Sequence, residues 1–66
     1  MKVTIEIDCS NAAFEDNPEY EAGRIIEDLG SKLRRGTMSL TYYAQGSAFT
    51  LRDLNGNKVG EMRVSE

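Results

Sequence analysis

The chain has 66 residues, with eight Lys and Arg against eleven Asp and Glu, a formal net charge of -3, no His and a single Cys. A domain of this size buries only about 60% of the surface its unfolded chain exposes, so its stability margin is thin and a second subunit is one way to widen it. With no His and with Cys9 alone, an intrachain disulfide framework and a zinc site are excluded. No apolar run approaches a membrane span or a signal-peptide core, which predicts a cytoplasmic protein.

Lys2 to Asp8, KVTIEID, alternates strictly, with Val3, Ile5 and Ile7 on one face, and predicts a half-buried strand. In the connection that follows, Asn11 is placed to start one helical turn over Ala12, Ala13 and Phe14. Phe14, its one large apolar side chain, is expected to pin the connection to the core. Cys9, at the end of the strand beside Asp8, reads as a packing residue, because a neighbouring anion disfavours the thiolate. A Cys9 bridge between two chains is the other use open to it.

Asn17 to Gly36, NPEYEAGRIIEDLGSKLRRG, is the one long helical stretch. Asn17 caps it, Pro18 suits its first position and Gly36 suits its end. Ala22, Ile25, Ile26, Leu29 and Leu33 form the core-facing stripe. Asp28 and Lys32 stand in the favourable i,i+4 order, with Glu21, Arg24 and Asp28 as further charged neighbours. Gly23 and Gly30 each cost about 1 kcal/mol in a helix interior. They lie on one flank, open to the chain's own sheet or to the helix of a second copy, and the second case implies a homo-oligomer.

Thr37–Tyr43 and Ser47–Asp53 both alternate and predict a hairpin that sets Tyr42 opposite Phe49 and Leu40 opposite Leu51. Asn55-Gly56 predicts a second hairpin. A two-residue turn opposes Asp53 to Lys58. A three-residue turn with Gly56 left-handed opposes Leu51 to Val59 and needs a bulge at Gly60; either form brings Phe49 opposite Met62. The expected fold is therefore one α+β domain spanning residues 1–66. Its order is β-α-β-β-β, with one helix packed on one face of a small, mainly antiparallel sheet.

Charge is unevenly spread. Residues 1–28 hold eight acids against Lys2 and Arg24, and residues 29–66 hold six bases against three acids. Complementing the helix dipole accounts for part of this. The remaining reading is an acidic partner-binding face made of Glu19, Glu21, Glu27 and Asp28.

Catalysis finds little support. Without His there is no Ser-His or Cys-His pair, and the adjacent carboxylates Glu15/Asp16 and Glu27/Asp28 diverge by about 100° on a helix. Asp53-x-Asn55-x-Asn57 opens like a calcium loop, but the sixth position is Lys58 and the twelfth Val64, so no metal is expected. Phosphate-binding glycine loops are absent, no cofactor is implied, and the net charge argues against dedicated binding of duplex DNA or RNA. Tyr43, Arg52 and Arg63, expected on the sheet face opposite the helix, offer a ring and two guanidiniums to a small anionic nucleotide. A solvated face of ordinary cross-strand pairs is the other reading.

A short strand ending in an acid, then NAAFEDNPEYEAGRII, and LRDLNGNKVG further on, together resemble a group of small phage and prophage proteins. The resemblance covers residues 3–33 and 51–60, and GTMSLTYYAQGSAF has no counterpart in it. It implies a viral protein working in the cytoplasm of an infected or lysogenic bacterium. By the habit of that class, it also implies a non-enzymatic inhibitor that binds a host protein such as a defence factor. A sponge that sequesters a nucleotide-type ligand is the alternative.

Overall fold

The computed structural model describes Met1–Glu66. In chain order the elements are strand β1 (Lys2–Ile7), a 3-10 turn (Ala12–Phe14), helix α1 (Pro18–Arg34), short helix α2 (Leu40–Tyr43), strand β2 (Phe49–Arg52) and strand β3 (Lys58–Ser65). The strands form one antiparallel sheet in the order β1-β3-β2. This is an α+β domain with one main helix on a three-stranded sheet.

Local chemistry accounts for α1. The Asn17 side chain accepts from the Tyr20 N–H at 3.0 Å, Pro18 follows it, and Gly36 leaves the helix at φ +75. Glu19 and Glu21 lie in its first turn, Lys32 and Arg34 in its last, each complementing the dipole. Of the expected stripe, Ile26 turns away from the core at 49% exposure, whereas Ile25 and Leu29 are buried and Ala22 and Leu33 partly so. They join Phe14, Leu51, Val59, Met62 and Val64 in one core, where each large side chain contributes about 1.5–3 kcal/mol. Phe14 does pin its connection, being 2% exposed, and Asn11 caps the turn that presents it by accepting from the Ala13 N–H.

Thr37–Tyr43, expected as a strand, is not one. Ser39 accepts from the Tyr42 N–H at 3.2 Å and starts α2, which turns Leu40, Tyr43 and Ala44 onto the core. Tyr42 consequently projects outward at 58% exposure instead of pairing with Phe49.

The hairpin between β2 and β3 takes the three-residue form. Asp53 N–H donates to Asn57 O at 2.9 Å, Gly56 N–H to Asp53 O at 3.0 Å, and Gly56 sits at φ +86. Arg52 opposes Lys58, the register slips once, and Leu51 then opposes Gly60 and Phe49 opposes Met62. The residue left over by the slip is Val59. The expected Leu51–Val59 pair with a bulge at Gly60 is therefore not made; the bulge falls one residue earlier, and Val59 is 7% exposed and belongs to the core, because a bulge redirects the side chains beside it.

β1 occupies the edge beside β3. Val3 and Ile5 stand opposite Val64 and Met62, hence on the helix side of the sheet, yet they remain 40% and 43% exposed.

Candidate protein-interaction surface

The outer face of α1 carries the single aromatic side chain of the helix. Tyr20, 71% exposed, aligns with Gly23 and Glu27 at spacings of three and four. These three, with Glu19 and Arg24, line a shallow depression. A Cβ built on Gly23 meets nothing within 4 Å, so the backbone there is open to approach. The same holds at Gly30. Packing against the chain's own sheet therefore does not explain either glycine. Further along the helix, Glu27 borders a second depression with Ser31, Arg34 and Arg35, so this face runs from acidic to basic.

The four acids expected to form one contact face divide. Glu19 and Glu27 are on this outer surface. Glu21 is not, at 2% exposure. Its carboxylate receives the Arg24 guanidinium at 2.9 and 2.8 Å and the Leu54 N–H at 2.8 Å. The Arg24 hydrogen bonds, helped by Leu54 and opposed by burial, hold its carboxyl below the usual glutamate range. Asp28 is paired with Lys32 at 2.9 Å, which lowers its pKa, and it lies on the flank that faces β2 beside Leu29 and Thr50.

The expected ring and its two guanidiniums are also separated. Tyr43 is in α2 and packs edge-on against Tyr42 and Phe49, at 4.9 and 6.0 Å between centroids, on the helix side of the sheet. Arg52 donates to Gly56 O at 3.1 Å. Arg63 pairs with Glu61, which Lys58 also approaches at 3.6 Å. The Tyr43 ring is thus not available as a stacking platform beside Arg52 and Arg63.

Asp53, which in the sequence stands out only as the opening of a rejected calcium-type loop, is the polar centre of the β2–β3 turn. It is 5% exposed and accepts from Asn55 N–H (2.8 Å), Asn57 N–H (2.9 Å), Asn11 Nδ2 (2.7 Å) and Asn57 Nδ2 (3.3 Å). Burial pushes its pKa up, but the combined donors outweigh burial and leave it below the usual aspartate range. The available signal was an Asp opening a turn with Asn two and four residues on. Nowhere do three His, Cys, Asp or Glu side chains group as a metal would need, and no helix is long and apolar enough to cross a membrane.

Comparison with known protein families finds no family model that matches this chain, and comparisons with curated proteins and with solved structures find no match.

Proposed function

We propose that this chain is a phage-type, non-enzymatic interaction protein that occupies the surface of a host protein and so inhibits it, a defence factor being the class of target. The observation that carries this reading is Tyr20, 71% exposed on a helix face opened by Gly23 and flanked by Glu19 and Glu27. A rigid aromatic with little side-chain entropy to lose, standing proud of an acidic surround, has the character of an interface hot spot. Glu19 and Glu27 favour a basic partner surface and speed encounter with it.

The test compares wild type, Tyr20→Ser and the double variant Glu19→Gln/Glu27→Gln as bait for bacterial lysate, with bound proteins quantified by mass spectrometry. One protein should be enriched by the wild type, lost with Tyr20→Ser and reduced with the double variant at low salt, the last difference shrinking as salt is raised, all three baits keeping the same circular dichroism. Equal recovery by wild type and Tyr20→Ser would overturn the assignment of this face.

A further inference from the structure

We propose that β1 is the interface of a two-fold homodimer, in which two β1 strands pair antiparallel about Ile5 and join two three-stranded sheets into one of six. This surface is separate from the outer face of α1, and the inference does not depend on the function proposed for that face.

Backbone geometry comes first. Asp8 N–H donates to Val59 O at 2.7 Å, and the β1–β3 register is unbroken from Lys2↔Ser65 to Ile7↔Gly60. Bonding residues alternate along an antiparallel strand, so the even-numbered residues of β1 bond to β3. Val3, Ile5 and Ile7 direct their N–H and C=O groups at the open edge. The Cys9 thiol, 3.9 Å from Ile7 O, is only a weak competitor there. An unblocked edge of this length is a template for another strand, and sheet proteins usually guard it with Pro, a bulge or an inward-pointing charge. β1 has none of these. β2, the opposite edge, is four residues long and carries the register slip.

The occupant follows from self-complementarity. Two-fold pairing about Ile5 sets Ile5 opposite Ile5 and Val3 opposite Ile7 on the helix side, with all six outward N–H and C=O groups of each strand matched. On the other side, Lys2 of each copy stands opposite Asp8 of its mate, and Thr4 opposite Glu6. Lys2 has no ion-pair partner within its own chain, and the Asp8 carboxylate accepts only from Ser10. A second copy therefore supplies an apolar neighbour for the half-exposed Val3 and Ile5 and an opposite charge for Lys2. Pairing about Thr4 instead would set Lys2 opposite Glu6 and leave Asp8 with no residue opposite it, so Asp8 tells the two registers apart.

Sedimentation equilibrium on the wild-type chain should show a reversible species of twice the 7.4 kDa chain mass. Ile5→Lys, at a site outside the core, should be folded by circular dichroism and monomeric. Lys2→Asp and Asp8→Lys should each weaken association about tenfold, since each places like charges opposite twice per dimer. An equimolar mixture of the two should recover wild-type association, because a heterodimer restores both opposite-charge pairs. The proposal is overturned by a strictly monomeric wild type at about 0.1 mM, by an Ile5→Lys protein that dimerises as the wild type does, or by a charge-swap mixture that does not recover. The mixture also fixes the register, since pairing about Thr4 would leave Asp8→Lys without effect.

Discussion

Asn11 and Asp53, 42 residues apart in the chain, are joined side chain to side chain at 2.7 Å. Glu21 and the Leu54 N–H, 33 residues apart, are joined at 2.8 Å. Every other hydrogen bond that involves a side chain spans five residues or fewer. Two buried carboxylates thus fasten the β2–β3 turn, one to the connection that carries Phe14 and the other to α1. In a domain with so small an apolar core these two links set the relative placement of helix and sheet, and with it the presentation of Tyr20 one residue from Glu21.

Asp53→Ala should therefore destabilise far more than an ordinary turn substitution. It strands the Asn55 and Asn57 amides and the Asn11 side chain in a part-buried site, and an unmet donor held from water forfeits its desolvation. The midpoint of thermal unfolding should drop by about 10 °C or more. Asn57→Ala, which removes only the longer 3.3 Å side-chain bond and keeps its backbone N–H, should shift it much less.

Acid should have a related effect. Asp53 and Glu21 both have folded-state pKa values below their ordinary ones, so the unfolded chain takes up their protons first as pH falls. Their contribution is complete above the ordinary carboxyl values. It begins to fall near those values of about 4 and is lost as pH passes below the depressed folded values. Urea midpoints measured from neutral pH into this range should decline, and in Asp53→Asn the decline should be shallower because one of the two groups no longer titrates. An equally steep decline in that variant would assign the acid sensitivity elsewhere.

The strands, the long helix, its caps and the Phe49–Met62 pairing were legible because each rests on a local signal: alternation, an N-cap with Pro, an Asn-Gly turn. Thr37–Tyr43 was misread because it satisfies two periods. Met38, Leu40 and Tyr42 alternate as a strand does, while Leu40, Tyr43 and Ala44 recur as a helical face, and the Ser39 cap decides between them. Glu21 looked like a surface acid by composition alone. Its position was informative, since it precedes Ile25 and Leu29 by four and eight residues on the buried stripe. The open edge of β1 depends on strand order, which alternation within one strand does not report.

Gly60 should not tolerate a side chain. A Cβ there meets the Glu6 carbonyl oxygen, with Glu6 C at 2.8 Å and Ile7 Cα at 3.0 Å, all of it backbone that cannot swing aside. Gly60→Ala must push β1 away from β3 at the bulge, at a cost of about 2–3 kcal/mol. Hydrogen exchange should show the loss first at the Asp8 and Glu6 amides, the bonding positions nearest the clash. Unchanged protection there would mean that β3 rather than β1 gives way.

Gly23 and Gly30 should behave in the opposite sense. Both are within α1, neither has positive φ, and an added Cβ meets nothing within 4 Å. Gly23→Ala and Gly30→Ala should each stabilise by about 0.5–1 kcal/mol, through reduced freedom of the unfolded chain and better helix propensity. A residue whose replacement stabilises the isolated domain is kept for another reason, and close approach of a partner backbone is one that Gly alone permits. Gly23 borders the depression beside Tyr20 and Gly30 does not. If the outer face of α1 is the contact, Gly23→Ala should raise the unfolding midpoint while lowering capture of the partner, and Gly30→Ala should raise it with capture retained. Equal capture by both stabilised variants would separate glycine from recognition and leave Tyr20 as the feature to test.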